Sequence, residues 1–152
     1  MEKTALILHP TREEKRTFVG DDLVEKLGVL KDQGYRILAV TQNGYDDDLV
    51  GEKHYDRSFP DRHGQGNLTS DLTEEMMEID RLLLGGGEGG DCVAQAAYSV
   101  AVKGYENIVA GKEVTYVNTE EGVMSLDEMP DERILNEAGS LPTYARIESI
   151  FD

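Results

Sequence analysis

Residues 81–98, RLLLGGGEGGDCVAQAAY, join an apolar run to a glycine-rich turn and the only cysteine of the chain. The consecutive apolar residues of RLLL are typical of a strand buried on both faces of a sheet. The segment DCVAQAAYSVAVKG (residues 91–104) is rich in alanine and ends in glycine, which predicts a helix. We therefore predict a strand, a tight turn and a helix, with Cys92 in the first helical turn.

Strands and helices alternate along the rest of the chain, which predicts a largely parallel sheet with helices on its faces. We predict a single α/β domain over residues 1–152, with a three-layer α-β-α architecture and a mostly parallel, Rossmann-like sheet. The segments behind this prediction are the strands TALILH (4–9), YRILAVTQ (35–42) and ENIVAG (106–111), and a helix at 21–33. The segment EVTYVNTEEGVMSL (113–126) predicts a hairpin after the last of these strands.

Other segments are less regular. Residues 43–67 show no sustained period and are rich in Gly, Asp and His, so we expect a long functional or mobile loop. SDLTEEMMEID (70–80) predicts a short helix. After a polar stretch, LPTYARIESIF (141–151) predicts a short helix or docking segment.

Charge and composition exclude several classes of protein. The net charge of −16 repels nucleic-acid backbones, so we expect no direct nucleic-acid binding. The chain lacks a run of about 18 apolar residues, so we expect no membrane span. A single cysteine excludes an internal disulfide and fits a reducing compartment, so we expect a cytoplasmic protein. The acidity itself is compatible with a solvated surface, adaptation to high salt, or an acidic decoy for a basic partner.

Cys92 is the candidate nucleophile. The backbone N–H groups and positive dipole at a helix start favour a thiolate and could hold an oxyanion. Gly87, Gly89 and Gly90 allow close backbone approach to a ligand, and Asp91 completes the candidate ligand loop. Carboxylates at Glu88 and Asp91 would disfavour the thiolate if they lay close to it.

A nucleophilic cysteine needs a base, and His9 is the best candidate. His9 ends the first predicted strand. If the first and third strands are neighbours, their ends lie about 5 Å apart, and His9 and Cys92 come within reach. The alternative is that Cys92 is a small buried apolar residue facing the sheet, as cysteines often are.

Phosphate binding is a weaker hypothesis for the same loop. GGGEGGDC lacks the lysine and Ser/Thr of a P-loop, although Gly85, Gly87 and Gly90 match G-x-G-x-x-G. Glu88 inside the loop would repel a pyrophosphate.

The stretch RLLLGGGEGGDCVAQAAYSVAVKGYENIVA (81–110) resembles the isochorismatase-like cysteine hydrolases, the superfamily that includes the nicotinamidases. Their pattern is an apolar strand, a glycine turn, CV opening a helix of small residues, and GY before the next strand. TALILHPTR, LKDQGYRILAVTQ and SFPDRHGQGN resemble family segments more loosely. The resemblance implies a hydrolase in which Cys92 attacks an amide or related carbon, no cofactor, a small-molecule substrate and a homo-oligomer.

The chain departs from the family pattern at its proton-transfer residues. The catalytic aspartate of the family aligns with Pro10, or nearby with His9, and residues 68–80 contain no lysine where the family has one. Either His9 substitutes as base, or the protein keeps the fold and has lost hydrolase chemistry.

A metal site is a further hypothesis that the resemblance raises. Nicotinamidases have metal ligands after the second strand, where this chain has Asn43 and Tyr45, with His54 and His63 roughly placed. Two histidines nine residues apart in a polar loop are typical of solvated side chains. A zinc site would need a further ligand, for example Asp56 or Asp61.

These observations leave a small cysteine hydrolase with Cys92 and His9 as the favoured function. The alternative is a non-catalytic protein of the same fold that binds a ligand at the glycine loop or a partner through its acidic surface. A decoy of nucleic acid is a third hypothesis, although the acidic residues show no duplex-like spacing.

Overall fold

A computed structural model of the protein describes residues 3–8, 20–42, 56–61 and 81–151. These residues form seven strands, four α-helices and one short 3₁₀ turn. In chain order they are β1 (Lys3–Leu8), α1 (Gly20–Asp32), β2 (Arg36–Gln42), β3 (Arg57–Asp61), β4 (Arg81–Gly86), α2 (Cys92–Val102), β5 (Ile108–Thr119), β6 (Gly122–Ser125), the 3₁₀ turn (Leu126–Glu128), α3 (Asp131–Glu137), α4 (Leu141–Tyr144) and β7 (Arg146–Glu148). None of the helices within these ranges has the length and hydrophobicity that crossing a membrane requires.

The strands form one sheet in the order β3-β2-β1-β4-β5-β6, and β7 pairs with β5. All pairings are parallel except the antiparallel β5–β6 pair. From β1 the chain moves outward to β2 and β3, and from β4 it moves outward in the other direction to β5. The strand order therefore reverses between β1 and β4, and the carboxyl ends of strands at such a point form the usual ligand crevice of open α/β sheets.

Helices cover both faces of the sheet, because the apolar strands alternate their side chains between two cores. On one face, Ala5 and Ile7 of β1 share a buried cluster with Leu23 and Leu27 of α1. On the other face, Leu6 and Leu8 share a cluster with α2, α3 and α4. The predicted three-layer α-β-α architecture with a mostly parallel, Rossmann-like sheet is confirmed.

The prediction that residues 43–67 form only a loop is wrong, because residues Arg57–Asp61 form strand β3. It runs parallel to β2, with Leu38 opposite Arg57 and Gln42 opposite Asp61. The sequence pattern did not predict this strand, because the segment is polar and contains Pro60. A strand at the edge of a sheet tolerates proline. The helix predicted at residues 70–80 lies outside the described residues.

Strand β5 is longer than predicted. The expected fourth strand and the first arm of the hairpin are one strand of 12 residues. Its first part pairs with β4, and its second part forms the predicted hairpin with β6, in which Thr119 lies opposite Gly122. The pairing with β4 is irregular between Leu84 and Gly86.

The C-terminal segment adds helix α3 and strand β7, neither of which the sequence predicted. The buried carboxylate of Glu113 anchors the residues after β7. It accepts hydrogen bonds from the Ser149 hydroxyl at 2.6 Å and the Ile150 N–H at 2.8 Å. The side-chain amide of Gln33 also donates to the Ile150 carbonyl at 2.6 Å. The tail is therefore held against the edge of the sheet where β1 and β4 begin.

Candidate functional site

The glycine loop leaves β4 beside the end of β1. Leu8 and Gly86 are register partners, and the Gly87 N–H donates to the Leu8 carbonyl at 3.2 Å. Gly86 has a φ of 95°, which favours glycine. Strands β1 and β4 are neighbours in the sheet, which is the condition under which His9 and Cys92 were expected to come within reach. His9 follows Leu8 in the sequence and lies outside the described residues.

Packing explains two glycines of the predicted ligand loop. The Gly89 N–H donates to the Tyr116 carbonyl of β5 at 2.8 Å, and a Cβ on Gly89 would lie 2.8 Å from a Val117 methyl group. A Cβ on Gly90 would lie 2.8 Å from the Glu137 carbonyl at the end of α3. The loop is clamped between β5 and α3, so at these positions a side chain is excluded by protein atoms. The peptide between Gly87 and Glu88 is cis.

Cys92 is the first residue of α2 and is buried, with 7% of its surface exposed. The Glu88 carbonyl accepts hydrogen bonds from the Asp91 N–H at 3.1 Å and the Val93 N–H at 3.0 Å. These bonds fix the turn that delivers the cysteine to the helix start. This position at a helix start is the one on which the predicted thiolate depends.

The two carboxylates that precede Cys92 in the loop, Glu88 and Asp91, each accept a hydrogen bond. Asp91 is exposed and accepts from the Gln95 side chain at 2.8 Å. Glu88 accepts from the Asn118 N–H of β5 at 3.1 Å. Glu88 thus links the loop to the hairpin.

The predicted oxyanion donors are the N–H groups of Asp91 and Cys92 in the glycine loop. The Asp91 N–H is already bonded to the Glu88 carbonyl, and the Gly89 N–H is bonded to Tyr116. Within the described ranges, the Gly90 N–H has no recorded acceptor. The Asp91 N–H would have to leave the Glu88 carbonyl before it could donate to an oxyanion.

The two aspartates considered as metal ligands lie at opposite ends of strand β3. Asp56 precedes β3, and its carboxylate accepts from the Ile37 N–H at 2.8 Å, near the start of β2. Asp61 ends β3, about 16 Å further along at 3.3 Å per residue. The described part of the chain contains no group of three His, Cys, Asp or Glu residues that could hold a metal ion. Asn43, Tyr45, His54 and His63 lie outside it.

The sequence did not predict the residues that pack against the glycine loop. Glu137 and Ala138 of the α3 terminus and Tyr116 of β5 close on the glycine loop. No motif in the sequence connects residues so far apart, and only the tertiary fold brings them to the loop.

Comparisons with known proteins show which solved structures share this fold. No protein-family model and no curated protein sequence matches the chain. Solved structures do match over nearly its whole length. An isochorismatase-like hydrolase from Alkaliphilus metalliredigens has a TM-score of 0.63 and 17% identity, covering 99% of this chain and 95% of that one. A nicotinamidase/pyrazinamidase from Bacillus subtilis has a TM-score of 0.66 and 17% identity, covering 98% and 100%.

A third structure has a different described activity. MAR1 ribonuclease from Caenorhabditis elegans has a TM-score of 0.70 and 10% identity, covering 97% of this chain and 76% of that one. The protein therefore has the fold of the isochorismatase-like hydrolases, as the sequence resemblance predicted. Since proteins of different activity share this fold, function must be argued from the site.

Proposed function

We propose that the protein is a cysteine hydrolase that cleaves a small amide or amide-like substrate, with Cys92 as nucleophile and His9 as base. The observation that carries the proposal is the position of Cys92. It opens α2 directly after β4, beside the end of β1, at the point where the strand order reverses. Ligands of open α/β sheets bind at this point, and the only cysteine of the chain lies there.

The proposed reaction has two halves. The Cys92 thiolate attacks the carbonyl carbon, and the negative charge passes to the carbonyl oxygen, which the loop N–H groups stabilise. The C–N bond then breaks, and the leaving nitrogen takes the proton that His9 removed from the thiol, which leaves a thioester on Cys92. His9 next takes a proton from water, and the resulting hydroxide attacks the thioester carbon. The C–S bond breaks to give a carboxylic acid, and the Cys92 thiolate takes the proton back from His9. The products are one acid and one amine or ammonia for each amide and water consumed.

His9 enters the proposal through the topology. The register of β1 and β4 brings Leu8 level with Gly86, and Cys92 follows six residues later at the start of α2. His9 is the residue after Leu8 in the sequence. The catalytic aspartate of the family aligns with Pro10, or nearby with His9, and residues 68–80 contain no lysine. A single base therefore has to serve both halves of the reaction.

The test is release of ammonia from a panel of small primary amides, including nicotinamide and pyrazinamide, by the wild type, Cys92→Ser and His9→Ala. We expect turnover of at least one amide by the wild type and a loss of at least about 100-fold in each variant. Lys112→Gln, which removes a charge that pairs with Asp131, is the control and should keep wild-type activity. Equal turnover by the wild type and Cys92→Ser would refute the proposal.

A second function has specific support. Cys92 is buried, and the Asp91 N–H is already hydrogen-bonded within the turn. Both features fit a non-catalytic protein that binds a small ligand at the glycine loop. Under this hypothesis an amide or nucleotide raises the thermal midpoint of both the wild type and Cys92→Ser while no product forms. Stabilisation of the protein without turnover would favour this second function.

A further inference from the structure

A cleft lies where β1 and β4 begin, at the opposite end of these strands from the glycine loop. Its volume is about 510 Å³, which is within the usual range of small-molecule sites. The residues that matter for its chemistry are Lys3, Gln33, Tyr35, Arg81, Glu148 and Ile150. Arg81 and Gly86 mark the two ends of β4, so the cleft is about 16 Å from the glycine loop.

Two cations lie side by side in this cleft. Lys3 and Arg81 are register partners on the adjacent strands β1 and β4, so their side chains leave the same face of the sheet. Like charges on directly opposed strand positions destabilise the pair unless an anion neutralises them.

The protein supplies only partial neutralisation. Glu148 approaches Arg81 at 3.8 Å, but the same carboxylate accepts a hydrogen bond from the Arg146 Nε at 2.8 Å. Lys3 has no carboxylate within ion-pair distance among the residues that the structure describes, and its ammonium lies 5.2 Å from the centre of the Tyr35 ring. One positive charge in the cleft is therefore left without a counter-ion from this part of the chain.

Tyr35 adds a neutral donor. The Arg81 Nε donates to the Tyr35 hydroxyl oxygen at 2.8 Å, so the hydroxyl proton has to point elsewhere. No acceptor for that proton is recorded within the described ranges. Tyr35 is 7% exposed and packs in the core under α1, so this donor is held in place.

We propose that this cleft binds a small molecule through a carboxylate or phosphate group. Lys3 and the outer nitrogens of Arg81 supply the positive charge, and the Tyr35 hydroxyl donates a directional hydrogen bond. Leu83 and Ile150 form an apolar wall for the body of the ligand. The net charge of −16 opposes anion binding only at long range, since physiological salt screens charges beyond about 8 Å.

The anion site is independent of the proposed chemistry at Cys92, because the cleft and Cys92 lie at opposite ends of the parallel strands. The test is titration of the protein with inorganic phosphate and, separately, with succinate, at constant ionic strength. Chemical-shift changes of the backbone amides report both the affinity and the place of binding. Phosphate and succinate distinguish the two anionic groups, and the tighter of the two identifies the class of ligand.

We expect saturable binding of at least one anion, with the largest shifts at residues of the cleft. Arg81→Gln and Lys3→Gln should each weaken it by about 10-fold or more. Lys3→Gln keeps the Arg81–Tyr35 hydrogen bond, so it tests the charge if Arg81→Gln fails to fold. Lys112→Gln removes an equal charge elsewhere and should change the affinity by less than 2-fold, as should Cys92→Ser.

Two results would overturn the proposal. One is the absence of saturable binding of either anion. The other is equal weakening by Lys3→Gln and Lys112→Gln, because that result would show only a response to net charge. Loss of amide turnover in Cys92→Ser with intact anion binding would leave both proposals standing.

Discussion

Gly86 lies directly against the backbone of Leu8. The two residues are register partners on adjacent strands, and a Cβ on Gly86 would overlap the nitrogen, the carbonyl carbon and the oxygen of Leu8. This contact allows the chain to turn from β4 into the glycine loop while staying next to the end of β1. The turn that leads from β4 toward Cys92 beside the end of β1 thus depends on the absence of a side chain at one position.

Gly86→Ala should therefore lower the free energy of unfolding by about 3 kcal/mol or more. The positive φ of 95° costs about 1–2 kcal/mol for an alanine, and the overlap with Leu8 adds a strain of similar or greater size. Gly104→Ala is the matched control, because Gly104 has a φ of 97° and no atom within 4 Å of the added Cβ. Its cost should be only the backbone cost of about 1–2 kcal/mol. Urea denaturation measures both, and equal costs would refute the packing argument.

Thr4→Val should stabilise the protein. Thr4 is fully buried in β1, and its hydroxyl has no hydrogen-bond partner among the described residues. Valine keeps the shape and removes the unsatisfied group, so the free energy of unfolding should rise by about 1 kcal/mol. Thr4→Ser keeps the hydroxyl and loses a methyl group, so it should destabilise by about 1 kcal/mol. Loss of stability in Thr4→Val, measured by urea denaturation, would show that the hydroxyl has a partner.

The hairpin turn and helix α3 are joined by an ion pair between Glu121 and Arg133. The hydrogen bond from Arg133 is the main cause that holds the pKa of Glu121 below its ordinary value of 4.5. A lowered pKa means that the contribution to stability is present above pH 4.5 and is lost as the pH falls through the pKa of the folded protein. Because both groups are exposed, the effect on stability should be small.

Carboxyl NMR titration tests this pair directly. In Arg133→Gln the pKa of Glu121 should rise toward its ordinary value, and in Lys112→Gln it should stay at its wild-type value. Lys112 pairs with Asp131 on the same helix and is therefore a control for general loss of positive charge. An unchanged pKa of Glu121 in Arg133→Gln would contradict the assignment of the pair.

Much of the fold could be predicted from local patterns. The runs around Leu6, Leu38 and Leu83 are apolar at consecutive positions because these strands are covered on both faces, and the helices between them have clear ends at Gly34 and Gly104. Strand β3 was missed because it is a polar edge strand that contains Pro60, and β7 because it is only three residues long. Edge pairing depends on the neighbouring strand more than on the sequence of the strand itself.

The candidate site was predictable in part for a similar reason. Cys92 is identified in the sequence as the sole cysteine, after a glycine turn. The adjacency of β1 and β4 is known only from the strand order in the structure. The closure of the loop by Tyr116 and Glu137 depends on long-range packing that no local pattern records. The cleft where β1 and β4 begin was also not predictable from a local pattern. Lys3 and Arg81 are 78 positions apart in the sequence and are brought together only by the register of the two strands.

The rate of alkylation of Cys92 by iodoacetamide near neutral pH tests the central claim most directly. The same chain unfolded in urea supplies the rate of an unactivated thiol. If Cys92 is a nucleophile activated by His9, the folded wild type reacts faster than the unfolded chain, and His9→Ala removes most of that advantage. A folded wild type in which Cys92 reacts no faster than in the unfolded chain would contradict the proposed hydrolase.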